Sequence, residues 1–322
     1  MATINDIAKK TGLSKSTISR YLNQGSVSKA SRKKIKQAIE ELGYIPNSYA
    51  RNLKISKTNT IGVIIPNFIG YTKNTSLNAI NIYLKDTDYS MLISCSNDDM
   101  RQEVRIIDEM VRLNVDGIIL FASNISQKHI ETLNNLDIPV VIFGQNLDKF
   151  ISITADDYTA GRLMASYIKE LNHKEITYFD VGDYDIAVGN RYKGLLSILK
   201  DTDIKINHHH ADFTKQTAYE RAKEVVDKEN STLYIGATDN IAFGIIEALR
   251  EKNIKIPDEI SVTGFGDYEI SPLINPPLTT VAFSYEKLGK LAIESLIDAI
   301  EGNKSIKAKQ VEPKLIVRSS CK

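Results

Sequence analysis

Beyond about residue 60, short apolar runs alternate with amphipathic stretches. This is the pattern of parallel sheets covered by helices on both faces, an α/β body. Ile61 to Ile65, Tyr89 to Cys95, Gly117 to Phe121, Val140 to Phe143, Glu175 to Asp180, Leu233 to Gly236 and Ile260 to Gly264 predict strands. Arg101 to Leu113, Asp157 to Glu170, Tyr219 to Asp227, Asn240 to Glu251 and Ser284 to Glu301 predict helices. The succession divides into two similar halves near Thr154-Ala155-Asp156-Asp157.

Before that point the period is helical. Ile4, Ile7 and Ala8 form an inward stripe behind a capping box of Thr3 and Asp6, and this helix ends at Thr11-Gly12-Leu13. Ser14 caps a second helix by accepting from a backbone N–H two or three residues on, and Ile18 and Leu22 point inward. Lys15, Ser16, Ser19 and Arg20 are left facing out, a basic, hydroxyl-rich face. Two helices joined by a tight glycine turn make a helix-turn-helix whose second member suits the DNA major groove, although a plain helical hairpin with a solvated charged face has the same pattern. A third helix, from Ser28 or Ser31 to Leu42, buries Ile35, Ala38, Ile39 and Leu42 and ends at Gly43. Lys29, Arg32, Lys33, Lys34 and Lys36 occupy its other faces.

Charge sharpens this division. The whole chain is nearly neutral at +1, but residues 1–58 hold 12 Lys and Arg against 3 Asp and Glu, or +9, leaving −8 on the remainder. A small basic head on an acidic body is the asymmetry expected if only the head meets a polyanion. With 322 residues, 42% of them hydrophobic, the chain can build two or three cores. Two cysteines, Cys95 and Cys321, are too few for a disulfide framework, the start has no secretory pattern, and no apolar run approaches a membrane span. The expectation is a soluble cytoplasmic protein with no membrane partner.

Catalytic signatures are missing. There is no phosphate-cradling loop, no nucleophile elbow and no zinc-protease motif, so neither enzymatic activity nor a cofactor is expected. His208-His209-His210 invites a metal reading. Successive strand residues point to opposite faces, however, and no acidic or cysteine partner is spaced nearby in sequence, so no metal is expected.

The helix-turn-helix is followed by Gly43-Tyr44-Ile45-Pro46-Asn47, then Ala50-Arg51-Asn52-Leu53, then Ile61-Gly62-Val63-Ile64-Ile65-Pro66. With these motifs the chain resembles, over essentially its whole length, the lactose-repressor (LacI/GalR) family of bacterial transcription regulators. The resemblance implies that Lys15, Ser16 and Arg20 read bases, with Thr17 and Ser19 nearer the DNA backbone. It also implies that Asn47 to about Leu53 is a hinge helix ordered when two copies meet over the operator, with Leu53 in a central minor-groove step and Lys54 alongside. Seven or eight residues are too few for a stable isolated helix, which agrees with ordering coupled to binding. The body it implies is a two-subdomain, periplasmic-binding-protein-like effector domain hinged around a cleft. The expected boundaries are residues 1–58 for the head and hinge, 59–155 plus 284–312 for the first subdomain, and 156–283 plus 313–322 for the second.

Ligands of such sheets bind beyond the carboxyl ends of the strands. The candidates there are Tyr71 and Thr72 in the loop from Asn67, Gln145 after the fourth run, and Thr238 and Asp239 after the sixth. The resemblance adds Arg191, which opens a helix in the family's Arg-x-x-Gly motif, and Phe213, an aromatic that stacks on ligand. Guanidinium, amide and carboxylate groups beside a ring face suit a neutral sugar. Many relatives carry Gly-Phe/Tyr-Asp after the late strand; here Gly266 takes the Asp position in Gly264-Phe265-Gly266-Asp267-Tyr268, leaving Asp267 or Tyr268 to reach inward. That run, together with Lys15 to Ser28 and Asp185 to Arg191, resembles the sucrose-operon repressors of Gram-positive bacteria. The implied protein is a homodimeric repressor on double-stranded operator DNA, released by sucrose, sucrose phosphate or a related sugar. A purine, another disaccharide or a phosphoprotein corepressor is the alternative.

Overall fold

The computed structural model describes residues 2–22, 25–44, 57–122, 124–182, 185–303 and 308–322. Two compact units divide the chain, Met1–Thr58 and Asn59–Lys322. The expected hinge residues Asn47, Leu53 and Lys54 lie outside the described residues.

In the head, α1 (Ile4–Thr11), α2 (Lys15–Leu22) and α3 (Lys29–Leu42) each send one isoleucine, Ile7, Ile18 and Ile35, into a fully buried centre. Helix ends follow the local chemistry. The Thr3 hydroxyl accepts the Asp6 amide while the Asp6 carboxylate accepts the Thr3 amide at 2.8 Å. Gly12 and Gly43 take the left-handed conformation that terminates α1 and α3. Ser28 caps α3 by accepting the Ser31 amide.

The body opens with β1 (Thr60–Ile65), α4 (Tyr71–Leu84), β2 (Ser90–Cys95), α5 (Met100–Arg112), β3 (Gly117–Phe121), α6 (Gln127–Asn134), β4 (Val140–Phe143) and β5 (Ile151–Ala155). It continues through α7 (Asp157–Glu170), β6 (Glu175–Asp180), α8 (Ile186–Leu199), β7 (Lys205–His210), α9 (Lys215–Val225), β8 (Leu233–Gly236), α10 (Asp239–Glu251) and β9 (Ser261–Gly266). It closes with β10 (Thr279–Ala282), α11 (Tyr285–Ile300), β11 (Lys309–Val311) and β12 (Lys314–Ile316). Two six-stranded sheets result, ordered β11-β5-β4-β3-β1-β2 and β12-β10-β9-β8-β6-β7. All pairings are parallel except β10 with β12. The chain passes from the first sheet to the second between β5 and α7. It returns between β10 and α11, and crosses once more between β11 and β12.

Central strands β3, β4, β8 and β9 are buried throughout, and β3, β4 and β8 accordingly read as apolar runs, whereas β9 buries Ser261 and Thr263 as well. The structure departs from the sequence reading at several elements; Tyr71 and Thr72, expected in a loop, begin helix α4. Strands β5, β7, β10, β11 and β12 were not singled out by the pattern, because they are short or lie at or near sheet edges with polar residues partly exposed. The strand expected over Ile260 to Gly264 runs on to Gly266, and the helix expected over Tyr219 to Asp227 starts at Lys215, capped by Thr214. Arg191 does not open its helix. Asp185 caps α8 through the Val188 amide, so Arg191 sits in the second turn.

Helices α7 and α8 cross at backbone contact. A Cβ at Gly161 would lie 1.9 Å from the Arg191 carbonyl oxygen, and one at Gly194 would lie 2.0 Å from the Tyr158 carbonyl oxygen. Both obstacles are main chain and cannot rotate away. Gly161→Ala is therefore expected to force the helices apart and to lower the unfolding free energy by about 1–3 kcal/mol, read as a lower urea midpoint with an unchanged denaturant slope.

Candidate functional site

Two regions concentrate the candidate residues: the outer face of α2 in the head, and the ends of strands and adjoining loops where the two sheets of the body approach. In the head, the Ser14 hydroxyl accepts the Thr17 amide at 3.2 Å and lies 2.8 Å from the Ser16 hydroxyl and 2.9 Å from that of Thr17. With Ile18 wholly buried, Lys15, Ser16 and Arg20 stand exposed on one side, and Thr17 and Ser19 are half-buried beside them. The Gly25 amide donates to the Arg20 carbonyl at 2.8 Å. A Cβ at Gly25 would come within 2.6 Å of Arg20 Cγ, so the loop lies close over the base of the arginine side chain. Lys29, Arg32, Lys33, Lys34 and Lys36 of α3 are exposed, and the Arg32 guanidinium lies 5.6 Å from the centre of the Tyr21 ring. This unit presents cations and short donors with few competing acids, as phosphate and base edges require.

In the body, side chains from opposite sheets meet. Tyr71, at the start of α4 beside the first sheet, stands 4.8 Å between ring centres from Tyr268, which follows β9 of the second. Tyr285, at the start of α11, meets Tyr71 edge-on at 6.0 Å, and the Thr72 hydroxyl lies against both the Tyr268 and Tyr285 phenols. Burial, with Asp239 nearby, pushes the Tyr268 phenol up to about 12, so it stays neutral and able to donate. Gly266 makes room for this ring: its φ is +142°, and a Cβ there would lie 2.3 Å from the Tyr268 ring.

Arg191 lies at the centre of the second half. Its Nε donates to Asp157 at 2.8 Å and its Nη1 to the Ala237 carbonyl at 2.7 Å, while the guanidinium lies 4.8 Å from the centre of the Phe283 ring. The pair is almost completely shielded from solvent. Burial pushes the Asp157 carboxyl up to about 6 against the opposing pull of Arg191. Asp157 was not among the residues expected from the sequence; the only signal was the acidic pair Asp156-Asp157 at the passage between the halves, of which Asp156 caps α7 through the Thr159 amide.

The other candidates separate. Asp239 is buried and fully engaged, accepting from the Tyr268 amide at 2.9 Å, the Ser271 hydroxyl at 2.5 Å and the Thr280 hydroxyl at 2.6 Å. Its carboxylate thus positions Tyr268. Thr238 caps α10 through the Ile241 amide. Asp267 pairs with Arg318 at 2.6 Å, so of the two residues left to replace the Asp position it is Tyr268 that reaches Tyr71. Gln145 is 8% exposed and its Nε2 is a buried donor with no hydrogen-bond partner among the described residues. Phe213 is 40% exposed, its carbonyl accepting from Asn240 at 3.5 Å. Lys73, two residues past Tyr71, is another group that the sequence reading missed. Burial lowers its ammonium pKa, with Asp98 and Asp185 opposing.

One sequence argument fails. His208 Nε2 lies 2.8 Å and His210 Nδ1 2.5 Å from the two oxygens of Asp180, 28 and 30 positions away, while the nearby Asp212 is held by Thr214 and Thr217. Strand β6 lies against β7 and pairs Asp180 with His210.

Removing Asp157 leaves a buried guanidinium with no counter-charge. Asp157→Ala is expected to cost about 3–5 kcal/mol of unfolding free energy, with much of that recovered when Arg191→Met is added, in a double-mutant cycle followed by urea unfolding.

Comparison with known proteins agrees with this architecture. Residues 3–47 match the family model described as bacterial regulatory proteins, lacI family, and residues 165–321 match that of a periplasmic binding protein-like domain. The chain is 31% identical over 319 residues to a sucrose operon repressor of Staphylococcus xylosus, covering 98% of both proteins. It is 28% identical to the HTH-type transcriptional repressor PurR of Glaesserella parasuis, covering 99% of this chain and 98% of that one. A crystal structure of the lac repressor dimer bound to operator superposes with a TM-score of 0.90 at 23% identity, over 99% of this chain and 98% of that one. Among the described residues no helix is long and apolar enough to cross a membrane. The chain belongs to the lacI family of bacterial regulatory proteins, and is a DNA-binding transcriptional repressor and not an enzyme.

Proposed function

We propose that this repressor acts in the cytoplasm as a homodimer on a pseudo-palindromic operator of a sugar-utilisation operon, and that sucrose or a phosphorylated or fructose-containing relative releases it. The observation that carries the effector class is the meeting of ring faces and planar polar groups between the sheets. Tyr71 and Tyr268 offer aromatic surfaces with the Arg191 guanidinium close to Tyr268, while Gln145, just beyond β4, adds a buried amide nitrogen that has no partner among the described residues. Such a mixture suits a pyranose, which has an apolar face and paired hydroxyls. Full-length similarity to a sucrose operon repressor supports sucrose within that class.

In this reading the subdomains are residues 59–155 plus 284–312 and 156–283 plus 313–322. Lys15, Ser16 and Arg20 read base edges, Thr17 and Ser19 hold the DNA backbone, and Asn47, Leu53 and Lys54 belong to the hinge. Tyr71, Thr72, Gln145, Arg191 and Phe213 contact the effector, Thr238 and Asp239 support the site from behind, and Asp267 keeps to Arg318. Effector closes one subdomain on the other through the Tyr71–Tyr268 contact and shifts the paired heads. Because the two sites are linked, effector must bind operator-bound protein more weakly by the factor by which it weakens operator binding. A purine effector is the second reading, favoured by the aromatic faces of Tyr71 and Tyr268, on which a flat base can stack.

Operator titration by fluorescence anisotropy, with and without sucrose, sucrose phosphate, other disaccharides and purines, tests this reading. A shift of the operator curve by the first two alone is expected; a shift by purines alone would replace the sugar. On the DNA side, Arg20→Ala should relax preference at one base pair per half-site by about 1–3 kcal/mol. Lys34→Ala should weaken operator and random DNA alike and flatten the salt dependence by about one unit. Equal losses on both DNAs for Arg20→Ala would remove its base-reading role.

A further inference from the structure

The chain has five histidines, and three of them are consecutive in β7. Alternation along the strand sends His209 to one face, where it lies 2.6 Å from Glu229. His208 and His210 share the other face with Asp180, which the parallel register of β6 sets opposite His210. Their Nε2, Nδ1 and carboxylate oxygen atoms all lie within 4.8 Å of one another, the one such cluster of three potential ligands among the described residues.

We propose that Asp180, His208 and His210 form a binding site for a divalent transition metal of the zinc class. Two imidazoles and one carboxylate suit zinc, cobalt or nickel better than magnesium or calcium, which favour all-oxygen shells. Bonds of about 2.0–2.2 Å in a tetrahedron place ligand atoms about 3.3 Å apart. The present gaps of 2.8 and 2.5 Å run to different oxygens of Asp180, and with all three ligand atoms within 4.8 Å of one another the groups need to shift by only about 1–2 Å to reach that spacing. The carboxylate is already oriented, since Asp180 Oδ1 accepts the Gly182 amide at 2.9 Å, and the Tyr192 ring lies 4.3 Å from that of His208. Such outer contacts fix the ligands of a metal site before the ion arrives. On binding, each imidazole gives up the proton at its ligating nitrogen, to its other nitrogen or to solvent. Three protein ligands leave the fourth position to water, on the side where His210 is exposed.

The consequence is mechanical. The ion would fasten the edge strand β7 to β6, three residues before Phe213, and so hold the loop that carries this aromatic. The site stands apart from the identity of the effector, and its test does not depend on one.

Full-length, tag-free protein stripped with EDTA and titrated with Co2+ should develop the visible absorption of a four- or five-coordinate ion at one equivalent per chain, bleached by Zn2+. His208→Gln, His210→Gln and Asp180→Asn should each weaken binding by at least about tenfold, whereas His209→Gln should leave it unchanged; circular dichroism establishes that each variant is folded. Stoichiometric Zn2+ should also raise the melting temperature of the wild type and not of the His208→Gln/His210→Gln double variant. Absence of the one-equivalent absorption, or its survival in the folded double variant, overturns the proposal.

Discussion

The buried pair of Arg191 and Asp157 is the interaction on which the packing of the second half depends. A guanidinium withdrawn from water is tolerable only with a counter-charge and filled hydrogen bonds, and Asp157 and the Ala237 carbonyl supply them. That arrangement requires α7 and α8 to lie at backbone contact, which only Gly161 and Gly194 permit. Two glycines without side chains thus decide where the Arg191 guanidinium points, and it points at the ring of Phe283.

Around that anchor the two sheets communicate through aromatic rings. Tyr268 is held from behind by Asp239, whose carboxylate also gathers Ser271 and Thr280, and it projects over Gly266 to Tyr71. An acidic side chain at position 266 would occupy the space that the Tyr268 ring now fills. Tyr71 stands beside the first sheet and Tyr268 beside the second, so their contact joins the two halves.

How far the fold was legible follows from burial. Strands β1, β3, β4 and β8 are covered on both faces and announce themselves as apolar runs. Strand β7, Lys-Ile-Asn-His-His-His, is at a sheet edge with alternate residues open to water, and nothing in its composition marks it as a strand. The head was legible almost to the residue, because caps and stripes are local: Ser14, Ser28, Gly12 and Gly43 act on neighbours within a turn. Arg191 was noticed for its motif, but its partner Asp157 is 34 positions away and no spacing connects them.

The sequence by itself determined the helix-turn-helix, its basic outer face, the alternating α/β body and the break into halves, all of which rest on periodicity, capping and charge within short windows. Only the tertiary structure decided which polar groups are spent on the fold. Asp239, Thr238 and Asp267 are occupied by the protein's own donors, the Gln145 amide nitrogen has no partner among the described residues, and Asp180 is delivered to two histidines. The reason is physical. Hydrogen bonds and ion pairs between strands and crossing helices join residues tens of positions apart, and their geometry exists only once the sheets have formed.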